Sequence, residues 1–186
     1  MPHRVRARRA RAVRVVTGVE AAFLDRDGTI NVKAPEGAYI ERPEDVVLLP
    51  GAAEAVRELN DRGIPVLVVT NQRGIALGRM TEEDLAAVHR RLDELLAAEG
   101  ARVDAYYHCP HDRDTCDCRK PGTAMLVQAA REHGIDLSRS VMIGDAASDV
   151  EAGRRAGART VWLGRDATSL REAVRSLLGA APEPPP

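Results

Sequence analysis

Residues 20–29 read EAAFLDRDGT, a short apolar run that ends on two aspartates one residue apart. A run of this length, closed by a turn signal, suits a buried strand. An extended backbone directs residues i and i+2 to the same side, so Asp25 and Asp27 point together. Gly28 then lets the chain turn sharply. Two close carboxylates repel unless a cation or a shared proton relieves them. Alone, the stretch is equally readable as a surface turn with two solvated acids. Its surroundings decide.

Moving outward, apolar runs alternate with helical periodicities. GAAEAVRELNDRG (51–63) has helical spacing and stops at glycine, and IPVLVVT (64–70) is β-branched like a strand buried on both faces. TEEDLAAVHRRLDELLAAEG (81–100) opens on a threonine cap with acids in its first turn and closes on glycine, which predicts a helix. VDAYYH (103–108), SVMIGD (140–145) and RTVWLG (159–164) are expected strands. TAMLVQAAREHG (123–134), a stretch near 147–156 and one near 168–179 are expected helices. The alternation predicts an α/β fold: a Rossmann-like parallel sheet with helices on both faces. In such sheets ligands gather at the carboxyl ends of the strands. Asp25, Asp27, Thr70, Asn71 and Asp145 all stand directly after expected strands, and so does a loop holding every cysteine of the chain. Asp145 adds a third acid to the first two, an oxygen set that suits Mg²⁺.

That loop, CPHDRDTCDCRK (109–120), spaces Cys109, His111, Cys116 and Cys118 as a complete tetrahedral set for zinc. Four protein ligands leave no open position, so such an ion would be structural. A redox site wants C-x-x-C, whereas this stretch has C-x-C. His108 is the alternative to His111. An odd number of clustered cysteines argues against a disulfide framework and for a reducing cytoplasm. RKP (119–121) sets Lys120 before a helix, with Pro121 expected near its first turn.

Bulk properties exclude several classes. The chain has 186 residues, room for one sizeable domain. No apolar run reaches the roughly 18 residues a membrane span needs. Six arginines and no acid occupy residues 1–19; taking those six from 27 cations leaves 21 against 28 acids, about −7 for the remainder. An acidic body does not suit nucleic acid. Residues 1–18 are expected to be a disordered basic extension, 19–180 the domain, and 181–186 a frayed tail.

DRDGT, the strand-end Thr70, Lys120 and GDAASD (144–149) occur in the order found in the haloacid dehalogenase-like phosphatases, which this sequence resembles over about residues 20–165. The resemblance implies a Mg²⁺-dependent phosphomonoester hydrolase. Asp25 would be the nucleophile that forms an aspartyl-phosphate, Asp27 the general acid and base, and Thr70 and Lys120 the stabilisers of the transferring group. Mg²⁺ would be held by Asp25, Asp145 and the backbone carbonyl of Asp27. Asp149 would orient Lys120 or a metal-bound water. The pattern CxH…CxCRKP is similar to the branch that contains heptose 1,7-bisphosphate 7-phosphatases and histidinol-phosphatases, although four residues between His111 and Cys116 make a short spacer.

About 40 residues separate Thr29 from Thr70, so no large cap domain fits and NVKAPEGAYIERPED (31–45) is expected to be a flap. The zinc loop would then wall off a small phosphosugar. Arg26, Asn71, Gln72, Arg73 and Arg119, with Gly37 and Tyr39 of the flap, are the expected substrate contacts. Histidinol phosphate carries an ammonium and wants acids at the far end of its pocket, whereas a heptose bisphosphate carries a second phosphate and wants cations. Arg73 and Arg119 favour the heptose reading. A monomer is expected, and a non-catalytic phosphosugar-binding module is the alternative of another class.

Overall fold

A computed structural model describes residues 18–179. The expected basic extension and tail lie outside the described residues, apart from Gly18 at the edge of the first. Five strands form one wholly parallel sheet: β1 (Ala22–Leu24), β2 (Val66–Asn71), β3 (Ala105–Cys109), β4 (Val141–Gly144) and β5 (Arg159–Trp162), in spatial order β3-β2-β1-β4-β5. Five helices connect or follow them: α1 (Ala52–Asp61), α2 (Glu82–Ala98), α3 (Ala124–His133), α4 (Ala147–Arg155) and α5 (Leu170–Leu177). Every expected element is present, with boundaries shifted by a few residues.

Strand alternation sorts the core into two layers. Ala22 and Leu24, Val66 and Val68, and Val141 and Ile143 pack with α1, α2 and α5. Their neighbours Phe23, Leu67, Val69 and Met142 pack with α3 and α4 on the other face. A strand covered on both faces has no polar positions to spare, which is why these runs read as continuously apolar. Each such valine, leucine, isoleucine, phenylalanine or methionine taken wholly from water contributes roughly 1.5–3 kcal/mol. α2 begins as expected: the Thr81 hydroxyl accepts from the Asp84 amide, and the Asp84 carboxylate accepts from the Thr81 amide.

The chain runs outward from β1 through β2 to β3, then returns to the other side of β1 for β4 and β5. The reversal falls between β1 and β4, the place where open sheets leave a crevice at their carboxyl edge. Asp25 continues β1 and Asp145 continues β4, so they flank that crevice. From β1 the chain covers the edge with an irregular flap, fastened where the Val32 amide donates to the Val47 carbonyl and closed by a 3-10 turn at Pro43–Asp45. One expectation needs correcting: Pro121 does not open α3. It sits three residues upstream, joined to Lys120 by a cis peptide and followed by a turn in which the Gly122 amide donates to the Arg119 carbonyl.

Candidate active site

Asp25 is almost buried at the end of the central strand. Its Oδ1 accepts from Lys120 Nζ at 2.6 Å. The same ammonium donates to the Val69 carbonyl at 2.6 Å and pairs with Asp149 Oδ1 at 2.7 Å. All three N–H donors of Lys120 are thus engaged, which fixes its position. Asn71 holds the backbone of Lys120 from both sides: its Nδ2 donates to the Lys120 carbonyl at 3.1 Å and its Oδ1 accepts from the Lys120 amide at 3.0 Å. Asp149 spends its second oxygen on the Ala146 amide at 3.0 Å, so its carboxylate anchors lysine and the start of α4.

Burial pushes the Asp25 carboxyl up to about 7; Lys120 opposes this, while Asp149 and Asp27 add to it. Lys120 moves the other way: burial disfavours its charge, but Asp25 and Asp149 outweigh burial and raise it. Asp25, Asp145 and Asp149 each place a carboxylate oxygen within 4.8 Å of the others. Asp145 Oδ1 is buried without a hydrogen-bond partner, an orphaned acceptor that a cation would satisfy. Since Asp149 is taken up by Lys120 and Ala146, the oxygens that fit a divalent ion are those of Asp25 and Asp145. Gly28 makes room for them. It has φ +89°, and a β-carbon there would run into the Asp145 carboxylate. That carboxylate has one unforeseen neighbour, Lys33 of the flap, whose Nζ lies 2.7 Å from Oδ2.

Asp27 faces a separate network. Arg26 clasps it through Nη2–Oδ2 at 2.9 Å and Nε–Oδ1 at 3.2 Å, while Asn31 Nδ2 donates at 2.9 Å and Gln72 Nε2 at 3.0 Å. Burial raises the Asp27 carboxyl, but Arg26, Asn31 and Gln72 together hold it below its ordinary value. Gln72 also donates to Thr70 Oγ1 at 2.8 Å and thereby couples the two strand ends.

A cleft of about 460 Å³ opens over these groups. It brings together Asp25, Asp27, Thr70, Asn71, Gln72, Arg73, Arg119, Lys120 and Asp145 with the flap residues Gly37 and Tyr39. Arg26 is the exception. Expected to contact substrate, it is 1% exposed and spends its guanidinium on Asp27 and Gln72 beneath the cleft floor. Gln72, 2% exposed, is likewise a support for its neighbours more than a contact surface. Arg73 lines the cleft but is tied through Nε to Asp112 of the cysteine loop. Tyr39 lies against Gly74, where a β-carbon would stand 3.2 Å from the ring.

The cysteine loop closes on itself. Sγ–Sγ distances are 3.5 Å for Cys109–Cys116, 3.2 Å for Cys109–Cys118 and 3.3 Å for Cys116–Cys118, and His111 Nδ1 lies 3.2 Å from Cys118 and 3.7 Å from Cys109. A tetrahedral zinc with bonds of about 2.3 Å needs edges of about 3.7 Å, so the four fit with a small expansion. Burial and contact with Cys109 and Cys116 push Cys118 up to about 12. At Cys116 burial is overcome by hydrogen bonding from Cys118 and the Arg119 amide, which draws it down to about 6. His108, the alternative ligand, lies outside this cage and meets Glu82 at 2.8 Å.

Asn31, Lys33 and Trp162, whose Nε1 donates to the Asp145 carbonyl at 3.1 Å, were not signalled by the sequence. They are single polar residues in irregular segments or at a strand end, without periodicity or motif to mark them.

A parallel sheet with a lysine-paired carboxylate at its switch point and a second acid beside it makes this edge the candidate active site. The chain belongs to the haloacid dehalogenase-like hydrolases, whose family model matches residues 5–157. It is 46% identical over 149 residues to a D-glycero-D-manno-heptose-1,7-bisphosphate 7-phosphatase of Thermosynechococcus vestitus, covering 74% of each chain. It is 37% identical over 143 residues to a D-glycero-beta-D-manno-heptose-1,7-bisphosphate 7-phosphatase of Photorhabdus laumondii, covering 73% of this chain and 74% of that one. A solved D,D-heptose 1,7-bisphosphate phosphatase from B. bronchiseptica, complexed with magnesium and phosphate, superposes with a TM-score of 0.79 at 30% identity over 87% of this chain and 99% of that chain. Among the described residues no helix is long and apolar enough to cross a membrane.

Proposed function

We propose that this protein is a Mg²⁺-dependent phosphatase that removes the 7-phosphate of D-glycero-D-manno-heptose 1,7-bisphosphate through an aspartyl-phosphate on Asp25. The observation that carries this reading is the placement of Asp25 between Lys120 and Asp145 at the switch point of the sheet. The cleft's charge favours the substrate. Away from the carboxylates it is lined by Arg73, Arg113 and Arg119 against a single acid, Glu36. Such a wall suits a second phosphate and disfavours the ammonium of histidinol phosphate. Arg119 Nη1 is buried and has no hydrogen-bond partner among the described residues, a donor left for ligand.

In the first half-reaction an oxygen of Asp25 attacks phosphorus in line, the bond from phosphorus to the sugar oxygen breaks, and Asp27 delivers a proton to that oxygen. In the second, Asp27 takes a proton from water as the water attacks the aspartyl-phosphate, which releases orthophosphate and frees Asp25. The clamp from Arg26, Asn31 and Gln72 keeps Asp27 ionised for the second role, and the negative charge of a bound phosphate raises it toward the first. Lys120 donates to the transferring group from a fixed position, and Thr70 supplies a hydroxyl beside it. Asp25, Asp145 and the Asp27 carbonyl would hold Mg²⁺, which would supply positive charge where an anionic carboxylate meets an anionic phosphate.

Zn²⁺ in the Cys109–His111–Cys116–Cys118 cage would be structural, fixing Arg119 and Lys120 at the edge of the cleft. Thiolates of this kind persist in a reducing compartment, so the reaction is placed in the cytoplasm. The enzyme acts as a monomer on a small phosphosugar, with every residue of the reaction supplied by one chain. Phosphate release measured with Mg²⁺ from both heptose 1,7-bisphosphate anomers and from histidinol phosphate tests the reading. A heptose bisphosphate is expected to give the highest kcat/KM, and a preference for histidinol phosphate would overturn the assignment.

A further inference from the structure

The contact between Lys33 and Asp145 joins the flap to the acid at the end of β4 across 112 residues of sequence. Lys33 is half exposed on an irregular loop, so little packing forces its ammonium onto this carboxylate. The attraction is electrostatic: the Lys33 ammonium meets the Asp145 carboxylate at 2.7 Å. Two other cations of the cleft are committed elsewhere, Lys120 to Asp25 and Asp149 and Arg73 to Asp112. Asp145 Oδ2 thus accepts from Lys33 while Oδ1 beside it has no partner.

We propose that Lys33 is an internal counter-ion for the metal site, which holds the flap against Asp145 in the metal-free enzyme and surrenders that carboxylate when Mg²⁺ binds. The inference rests on the assignment of Asp145 as a Mg²⁺ ligand. Ammonium and divalent ion compete for the same carboxylate, so by linkage the affinity for one falls as the other is engaged. The exchange couples flap position to metal loading: residues 31–40 are tethered without metal and released from Asp145 with it. The flap lines the cleft through Ala34, Pro35, Glu36, Gly37, Ala38 and Tyr39, so its release changes access to the site.

The chain carries a built-in reporter. Its single tryptophan, Trp162, hydrogen-bonds the Asp145 backbone. Mg²⁺ titrations followed by tryptophan fluorescence on the full-length protein, without substrate, compare wild type with Lys33→Met and Lys33→Arg. Lys33→Met keeps the aliphatic stem and removes the charge; it should bind Mg²⁺ roughly two- to fivefold more tightly, as expected for losing a partly exposed competing ion pair. Lys33→Arg should stay near wild type. Limited proteolysis of the flap supplies a second readout: in wild type, cleavage within residues 31–40 should rise on adding Mg²⁺, whereas in Lys33→Met it should already be high without it. Equal Mg²⁺ affinity in all three proteins would overturn the inference and leave the proposed reaction standing. Failure of all three proteins, wild type included, to bind Mg²⁺ would overturn both.

Discussion

The edge of the sheet and the cysteine loop both gather metal-ligating side chains, but by opposite means. Asp25 and Asp145 are separated by 120 positions and meet because β1 and β4 are neighbours in the sheet. The cage draws all four of its ligands from ten consecutive residues that form no helix or strand beyond the end of β3. The edge has few ligands, an orphaned acceptor and an adjoining cleft, whereas the cage has four ligands and closes. An open set built on rigid strands suits chemistry, and a closed set in a loop suits rigidity.

The sharpest break between the two is Asp25→Asn. It should lower kcat by about 10⁴-fold or more, the scale on which loss of a nucleophile is felt. Zinc content by metal analysis should be unchanged, and substantial turnover in this variant would remove Asp25 from its role. Next in size, Asp145→Ala should cost roughly 10²–10³-fold in kcat at saturating substrate, in line with losing one main source of charge stabilisation. Its residual rate should no longer respond to added Mg²⁺; a normal Mg²⁺ response would place the ion elsewhere.

Cys116→Ser attacks the other region. It should lose zinc and lower Tm by about 5–10 °C, the order expected when a chain of this size loses a few kcal/mol of metal-linked folding energy. The accompanying loss of activity should be much smaller than in Asp25→Asn, because the carboxylates and the sheet remain intact. Unaltered zinc stoichiometry would mean that the ligand set is wrong.

The smallest effect is a pH dependence. Asp27 has its folded value held below the ordinary 3.8 by Arg26, Asn31 and Gln72 against the push of burial. A depressed carboxyl contributes stability that is fully present above the unfolded value and lost as pH falls through the folded one. Urea midpoints should therefore decline below about pH 4 in wild type and decline less in Asp27→Asn. Parallel curves for the two proteins would show that the clamp does not discriminate between protonation states.

Much of this was open to reading from the chain alone, because the signals are local. The alternation of β-branched runs with helical periodicities gave every strand and helix, and strand ends marked Asp25, Thr70 and Asp145 as neighbours. Where the reading slipped, a local rule met a non-local fact. Pro121 looked like the first residue of a helix, but the turn at Gly122 delays α3 to Ala124. Arg26 is an expected substrate contact, yet its side chain is buried and pairs with Asp27.

The sequence by itself determined the alternating α/β order, the carboxylate pair at i and i+2, and the clustering of the three cysteines with a histidine, because each is set by backbone periodicity or by spacing within a few residues. Only the tertiary structure decided that Lys120 is shared by Asp25 and Asp149, that Arg26 is buried beneath Asp27, and that Lys33 reaches Asp145. Those pairings join residues through packing and charge. A buried cation takes whatever acids the fold brings within reach, and no spacing along the chain encodes which acids those are.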